Sequence, residues 1–143
     1  MRLLRAEGGA MKPAIATVAD HMRRHLVTVT GDMEIVEAVS VLMENGVSGA
    51  CVLDEDGELV GVLSKRDCLK AALNASYYKQ WGGTVADYMA TDLETLDASL
   101  DIVDAAERFV GSAFRRFPVL SGGRLVGQIS RTDVLGALSA QWR

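Results

Sequence analysis

Histidine and cysteine, which most often bind metals or act as nucleophiles, are scarce in this chain. Its 143 residues include only two of each. His21 and His25 flank a short predicted helix, and no group of His, Cys and carboxylate residues has the spacing of a metal site. Neither histidine is tied to a serine by any recognisable pattern. The sequence therefore gives no support for catalysis, and we expect neither an enzyme nor a metal protein.

Long apolar runs and an excess of positive charge are also lacking. No apolar run approaches the roughly 20 residues of a membrane span, and Met1–Arg5 is too short for a signal peptide. The formal net charge of −4 argues against a nucleic-acid partner, because contact with a phosphate backbone needs clustered Lys and Arg. We expect a cytoplasmic protein that binds neither membrane nor nucleic acid.

What the chain does contain is an internal repeat. Gly61-Val-Leu-Ser-Lys-Arg-Asp67 reappears as Gly127-Gln-Ile-Ser-Arg-Thr-Asp133, and Thr17–Met22 reappears as Thr84–Met89. A gene duplication explains this correspondence. It divides the chain into an N-terminal extension (1–16), a first repeat (17–73), a linker (74–83), a second repeat (84–140) and a C-terminal tail (141–143).

Both repeats predict the element order β-α-β-β-α, preceded by a short helical turn. Thr17 and Thr84 are the predicted N-caps of that turn, with an aspartate three residues later at capping-box spacing. The next helix is predicted to begin at Asp32 or Ser99 as N-cap, with Glu34 or Asp101 in its first turn. In the first repeat this helix should end at Gly46. Its expected apolar face consists of Ile35, Val39, Leu42 and Met43.

The remaining elements follow from apolar runs and turn signals. Strands are predicted at Val27–Val29 and Thr95–Leu96. Two further runs, Ala50–Leu53 and Leu59–Leu63, flank an Asp-Gly pair and predict a hairpin. The closing helices are predicted over Lys65–Leu73 and Arg131–Ala140.

Cysteines and linker aromatics each leave two interpretations open. Cys51 and Cys68 stand where the second repeat has Pro118 and Val134. We expect buried free thiols, with a disulfide or a redox switch as the alternative. The linker aromatics are expected to cover the core or, alternatively, to line a subunit contact; they are Tyr77, Tyr78 and Trp81.

Each seven-residue motif places a hydroxyl and a carboxylate at a predicted strand-to-helix corner. The N-terminus of a helix presents unpaired N–H groups and partial positive charge, which suit a phosphate. The carboxylate could accept hydrogen bonds from ribose hydroxyls. Two such corners favour a protein that binds nucleotides without transforming them. The same Ser-x-x-Asp spacing is also that of a capping box, so helix stabilisation alone is the alternative.

A duplicated unit that ends in Gly-h-h-Ser-x-x-Asp, where h is mostly apolar and the first h is Gln128 in the second copy, resembles the CBS domain pair, or Bateman module, over about Thr17–Leu138. The resemblance implies a mixed α/β fold in which two repeats pack about a pseudo-two-fold axis through their sheets. It implies clefts between the repeats that bind AMP, ADP, ATP or S-adenosylmethionine as a regulatory ligand, with no required cofactor. It further implies a stand-alone sensor that signals to an unspecified partner protein.

Homodimers formed through helices are common in this family. The closing helices and Gln141-Trp142 are therefore candidate contacts. An assembly module with vestigial, ligand-indifferent clefts is the alternative function. An enzyme would need a metal or a nucleophile–base pair.

Carried onto this sequence, the resemblance implies two sets of ligand-binding residues. The favoured cleft comprises Val27, Val47, Ser48, Ile129, Ser130 and Asp133. The second cleft comprises Leu63, Ser64, Asp67, Glu94, Phe114 and Arg115. Phosphate contacts are expected from Arg115, Arg116, Arg131, Lys65 and Arg66.

The preference for the Asp133 cleft has two grounds. The Arg115-Arg116 pair has the uncharged counterpart Ser48-Gly49, and Glu94 in place of Val27 puts a carboxylate near the other adenine slot. A solvated surface pair is the alternative interpretation of the two arginines.

Overall fold

The computed structural model describes residues 16–141 and the backbone of two short strands in the N-terminal extension. The elements in chain order are β1 (Leu3–Arg5), β2 (Met11–Pro13), α1 (Val18–His21), β3 (Thr28–Thr30), α2 (Ile35–Asn45), β4 (Gly49–Leu53), β5 (Leu59–Ser64), α3 (Lys65–Tyr78), α4 (Val85–Tyr88), β6 (Leu96–Asp97), α5 (Ile102–Val110), β7 (Arg116–Ser121), β8 (Arg124–Ser130) and α6 (Arg131–Gln141). Strands β1 and β2 pair antiparallel. The rest of the extension and Trp142 lie outside the described residues.

The predicted order β-α-β-β-α is confirmed in both repeats. In the first, β3 runs parallel to β4, and β4 pairs antiparallel with β5. In the second, β6, β7 and β8 repeat the same arrangement. The strands predicted at Val27–Val29 and Thr95–Leu96 form one residue later than expected. The structure is therefore the mixed α/β fold, with two three-stranded sheets, that the duplication predicts.

Packing divides the chain into two compact units whose limits differ from those of the repeats. His25–Glu94 form one unit, here called the α3 unit, and the described residues of 1–24 and 95–143 form the other, the α6 unit. Each unit thus contains the opening helix of the opposite repeat. Val18 of α1 is fully buried in the core of the α6 unit, and its N–H donates to the carbonyl of Leu100 at 2.8 Å. Val85 of α4 is buried in the α3 unit, and its N–H donates to the carbonyl of Met33 at 2.9 Å.

Each unit buries its own apolar core between its sheet and its helices. The core of the α3 unit consists of Val29, Ile35, Ala38, Leu42, Ala50, Val52, Leu63, Cys68, Ala71 and Val85. The core of the α6 unit consists of Val18, Leu96, Ile102, Ala105, Phe109, Phe117, Val119, Ile129, Val134 and Ala137. Among the residues that the structure describes, no helix is long and apolar enough to cross a membrane.

The predicted capping boxes at Thr17 and Thr84 are confirmed. The caps predicted at Asp32 and Ser99 are wrong, because α2 and α5 begin after Glu34 and Asp101.

Both observed N-caps pair in isolated antiparallel bridges, Glu34 with Thr84 and Asp101 with Thr17. Pairing keeps each cap residue extended, at ψ 139° and 142°. Neither Glu34 nor Asp101 can therefore belong to the first helical turn.

The core-facing residues of α2 follow the predicted period with one exception. Ile35 and Leu42 are buried and Val39 packs against the core, but Met43 is 70% exposed. Ala38, at the inward position one turn after Ile35, completes the face instead. The helix ends at Gly46 as predicted, with a left-handed φ of 62°.

Two predictions about the linker are wrong. Helix α3 continues through Tyr78, five residues beyond Leu73, and ends at Lys79 in the left-handed conformation. Tyr77 and Tyr78 lie in the last turns, beyond Ala71, the last buried residue of this helix. They are 74% and 78% exposed, and Trp81 is 40% exposed, so these aromatics do not cover the core. The subunit contact stays a prediction.

Cys51 and Cys68 are free and buried, as predicted. On β4, Ala50 and Val52 point into the core that contains Cys68. Because side chains alternate along a strand, Cys51 points to the opposite face of the sheet. The two thiols are thus separated by the sheet, which rules out a disulfide between them. Burial raises the pKa of the Cys51 thiol to about 11. Burial and the nearby charge of Asp67 raise the pKa of the Cys68 thiol.

Gly127 is required for close packing between β8 and the segment after α1. A Cβ at this position would lie 2.6 Å from Met22 Sδ and 2.8 Å from the carbonyl oxygen of Arg23. At Gly61, the equivalent in the first repeat, a Cβ would lie 2.5 Å from Met89 Sδ but 3.1 Å from the Ala90 oxygen. A methionine side chain can rotate away, whereas a carbonyl oxygen moves only with the backbone.

We therefore expect Gly127→Ala to lower the free energy of unfolding by about 1–3 kcal/mol, and Gly61→Ala to lower it less. Urea denaturation measures both. Gly136→Ala is the control, since nothing lies within 4 Å of its Cβ position in α6, and it should stabilise by about 0.4–1 kcal/mol. A Gly127→Ala variant as stable as the natural chain would contradict the packing described.

The raised thiol pKa values predict low reactivity and a loss of stability in alkali. The folded state keeps its thiol protons at pH values where an unfolded thiol, with a pKa near 9.0, has lost them. The stabilisation is complete below about pH 9 and is lost as the pH rises towards the folded Cys51 value of about 11. Urea midpoints should therefore fall over this range, and less so in Cys51→Val. A thiol reagent at pH 8 should modify both cysteines rapidly only after unfolding; rapid reaction of Cys51 in the native protein would contradict its burial.

Candidate ligand-binding site

The first motif forms a corner between β5 and α3. Ser64 is extended (φ −103°, ψ 166°), so its N–H and Oγ face the first turn of α3. The Ser64 N–H and Oγ–H both donate to Asp67 Oδ2, at 2.9 Å each. The Asp67 N–H donates in return to Ser64 Oγ at 3.1 Å. The predicted capping box is therefore present and reciprocal.

The second motif forms the same corner between β8 and α6. The Ser130 N–H donates to Asp133 Oδ2 at 2.9 Å, and the Asp133 N–H donates to Ser130 Oγ at 3.2 Å. In both motifs these cap bonds use one carboxylate oxygen, Oδ2. The second oxygen, Oδ1, takes no part in them. Capping and ligand binding thus require different atoms, and the first does not exclude the second.

The environment of Asp133 is more basic than that of Asp67. Arg116 lies directly opposite Ser130 in the β7–β8 ladder. The Arg131 N–H donates to the carbonyl of Arg115 at 3.1 Å, which brings this pair beside the start of α6. In the α3 unit, the residue opposite Ser64 is Gly49. A Cβ there would lie 2.9 Å from the Leu63 carbonyl oxygen, so the backbone leaves no room for a side chain at that position.

Arg23 is a neighbour of the second motif that sequence reasoning missed. Its Nε lies 3.6 Å from Asp133 Oδ1. Two backbone hydrogen bonds with Gln128, of 2.8 and 2.9 Å, hold Arg23 beside β8. The equivalent segment of the other repeat pairs Ala90 with Val62 in the same way, at 2.9 and 3.0 Å. Alignment of the repeats sets Met22-Arg23 against Met89-Ala90, so the signal was present in the sequence.

The predicted ligand-binding residues differ in what they can offer. Leu63 and Ile129 are fully buried in the two cores, so only their backbones could contact a ligand. Val27 and Val47 are half-buried and pack against the core of the α3 unit. Ser48 is exposed, and its carbonyl accepts from the Lys65 N–H at 2.9 Å.

The predicted phosphate contacts are all solvent-accessible. Arg115, Arg116, Lys65 and Arg66 are exposed. Arg131 is exposed too, and its guanidinium donates to the Ser112 carbonyl at 3.1 Å. Phe114 is 44% exposed, with its ring centroid 5.8 Å from that of Phe117. Glu94 is exposed.

Both predicted sets of ligand residues draw on both compact units. In the favoured set, Val27, Val47 and Ser48 belong to the α3 unit, whereas Ile129, Ser130 and Asp133 belong to the α6 unit. In the second set, Phe114 and Arg115 belong to the α6 unit and the remainder to the α3 unit. Within the α6 unit the structure groups Ser130, Asp133, Arg115, Arg116 and Arg23. The assembly of complete clefts stays a prediction.

The part of the chain that the structure describes contains no candidate metal site. No three His, Cys, Asp or Glu side chains come together there in a group that could hold a metal ion.

The family model of the CBS domain matches this chain twice, over residues 18–74 and 85–140. The chain belongs to the CBS-domain family. Both matches end within the closing helix of a repeat, and both contain an intact capping-box motif. The tandem CBS pair expected from the resemblance is thus confirmed.

Curated relatives share this pair at moderate identity. The CBS domain-containing protein YhcV of Bacillus subtilis is 30% identical over 121 residues, which cover 84% of each protein. The uncharacterized protein MJ1225 of Methanocaldococcus jannaschii is 29% identical over 125 residues, covering 87% of this chain and 44% of the relative. This chain therefore spans less than half the length of MJ1225.

Solved CBS-pair structures have the same fold. CBSX2 of Arabidopsis thaliana was crystallised in complex with AMP. That structure aligns with a TM-score of 0.76 at 32% identity, over 89% of this chain and 98% of CBSX2.

Proposed function

We propose that this CBS pair is a regulatory module that binds an adenine nucleotide at the Ser130–Asp133 motif and signals its presence to a partner protein. The observation that carries the proposal is the arrangement around Asp133. Its carboxylate is only 13% exposed and is fixed through Oδ2, so Oδ1 is held in a defined direction. The AMP complex of CBSX2, 32% identical to this chain, supports the choice of an adenine nucleotide.

The ribose and the phosphate of the ligand each have a chemical counterpart at this corner. Asp133 Oδ1 can accept hydrogen bonds from the ribose hydroxyls. The Ser130 hydroxyl and the positive end of the α6 dipole suit a phosphate, although the N–H groups of Arg131 and Asp133 are already bonded within the protein. Arg116, directly across the ladder from Ser130, can add a charge-assisted, two-pronged contact.

Binding becomes regulation only if the ligand favours one of two arrangements of the protein. Such a switch needs no catalytic group, in keeping with the lack of any evident nucleophile–base pair in the sequence. The signal would then pass to a partner through a surface whose shape or availability differs between the two arrangements.

Exposed apolar side chains on the closing helices support self-association as part of this function. On α3, Leu69, Leu73 and Tyr77 recur every four residues and are all more than half exposed. On α6, Leu135 is 69% exposed beside a groove of about 470 Å³ between α5 and α6. We propose a homodimer formed through these helices, since such patches commonly mark protein contacts. The same surfaces would serve an assembly module that ignores ligands.

Aspartate variants test the proposed site. With AMP at about 100 times its dissociation constant, binding should add roughly 2.7 kcal/mol of stability and raise the melting temperature by several degrees. Asp133→Ala should abolish this shift, because the ribose acceptor is lost. Thermal unfolding with AMP, ADP, ATP, adenosine, S-adenosylmethionine and GTP provides the measurement.

Asp67→Ala is the matched control, because it removes the same capping bonds from the other motif, each cap being worth about 1 kcal/mol. It should keep the AMP shift relative to its own ligand-free state. Loss of the shift in Asp67→Ala and its retention in Asp133→Ala would reverse the assignment. If none of the six compounds raises the melting temperature of the natural chain, the assembly module is favoured.

Charged substitutions test the helix-mediated dimer. The natural chain should elute at twice its mass of 15.3 kDa in size-exclusion chromatography with light scattering. Leu69→Glu and Leu135→Glu should shift it to the monomer, because a buried unpaired carboxylate is costly. The same substitution at the exposed Ser121, in the β7–β8 hairpin, should leave the dimer intact. A monomeric natural chain, or two dimeric leucine variants, would refute the proposed contact.

A further inference from the structure

Two backbone corners of nearly identical geometry differ in the residue that the segment after the opening helix places beside the aspartate. In both units a short helix is followed by a residue that pairs with the last strand, Arg23 with Gln128 and Ala90 with Val62. The paired carbonyls and N–H groups lie within 2.8–3.0 Å in both cases. This segment therefore places a cationic side chain beside the second motif only.

The position of Arg23 follows from backbone constraints and not from the ion pair itself. Gly127 lets the chain at Met22 and Arg23 approach β8 so closely that no Cβ fits between them. The two hydrogen bonds to Gln128 then fix the register. Gln128 and Ser130 are two residues apart on β8, so their side chains share one face of the sheet. Arg23 is consequently anchored at the edge of the Ser130–Asp133 corner whether or not its side chain contacts Asp133.

The ion pair itself is easy to break. The Arg23 side chain is 73% exposed, and its Nε lies 3.6 Å from Asp133 Oδ1, longer than a hydrogen bond. Exposed pairs of this kind contribute about 0–1 kcal/mol. A ribose that hydrogen-bonds to Oδ1 can therefore displace the guanidinium at little cost. The displaced guanidinium stays close to this ribose, because the backbone of Arg23 is fixed. The same ribose carries the 5′-phosphate.

We infer that Arg23 is a specificity-determining residue, which selects anionic, phosphate-bearing adenine nucleotides over uncharged or cationic adenosyl compounds at the Asp133 motif. The inference rests on the function proposed above and adds a choice between ligand classes. Without a ligand, the Arg23 guanidinium pairs with Asp133 Oδ1. When a nucleotide binds, its ribose replaces the guanidinium at Oδ1, and the guanidinium contacts the phosphate. A ligand without phosphate also displaces the guanidinium but offers it no new contact.

The other charges near the two corners point the same way. Beside Ser130 and Asp133 the structure gathers Arg115, Arg116 and Arg131 in addition to Arg23. The equivalent residues around the first motif are Ser48, Gly49, Lys65 and Ala90, and Arg66 adds a second cation there. Four arginines thus stand near the second motif, against one lysine and one arginine near the first. The greater positive charge near the second motif favours an anionic ligand there.

Calorimetric titration of Arg23→Ala with AMP, ATP, adenosine and S-adenosylmethionine tests the inference. Loss of a charge-assisted phosphate contact should raise the dissociation constants of AMP and ATP by about tenfold or more. The constants for adenosine and S-adenosylmethionine should stay the same or fall, because their ribose no longer competes with a guanidinium. The preference for AMP over adenosine should accordingly drop by about tenfold.

Arg24→Ala is the matched control. It removes the same charge from the neighbouring residue, whose guanidinium is directed to the Ala19 carbonyl at 3.5 Å. It should leave the AMP-to-adenosine preference unchanged.

An unchanged preference in Arg23→Ala, or an equal drop in Arg24→Ala, would overturn the inference while leaving the proposed function intact. A natural chain that binds none of the four compounds would overturn both. Arg23→Lys keeps the charge without the planar fork and should retain part of the preference; a complete loss in Arg23→Lys would also count against a role for its charge.

Discussion

The candidate site depends on one pair of hydrogen bonds, the reciprocal bonds between the serine that ends a strand and the aspartate in the first helical turn. The serine N–H donates to the aspartate Oδ2 at 2.9 Å in both units. This bond satisfies a backbone donor at the sheet-to-helix corner and fixes the rotamer of the aspartate. The direction of Oδ1 is set at the same time. Helix initiation and the placement of a ribose acceptor are therefore consequences of a single local interaction, which is why a capping box and a binding motif have the same sequence.

A second constraint, the missing side chains at Gly61 and Gly127, decides what stands next to that aspartate. Each glycine lets the segment after a short helix pair directly with the last strand of the unit. The backbone of the two corners is then nearly the same, but the residue delivered is Ala90 in one unit and Arg23 in the other. The glycines thus make the two corners alike in structure, while neighbouring positions, Arg23 among them, make them differ in charge.

Much of the fold was predictable because its signals are local. The element order, both capping boxes and the helix stop at Gly46 follow from residues within a few positions of each other. The errors arose where distant residues decide. Glu34 and Asp101 are caps because they bridge to Thr84 and Thr17, and no periodicity reveals such a bridge. The repeat pattern along the chain likewise gives no sign that each opening helix packs in the unit formed mainly by the other repeat. At the site, motif residues were predictable from their spacing, whereas Arg23 depends on a pairing across more than 100 positions.

The two repeats agree where folding requires it and differ where a ligand would be contacted. Glycine, serine and aspartate of the motif are the same in both, as are the threonine caps and the first buried valine of each opening helix. Gly49 and Arg116, by contrast, occupy the same ladder position opposite the capping serine. Exposed side chains at such positions cost little stability, since surface substitutions usually change it by less than about 0.5 kcal/mol. Charge could therefore accumulate around one corner without disturbing the caps and cores that hold it. The same backbone thereby comes to present two corners of different charge.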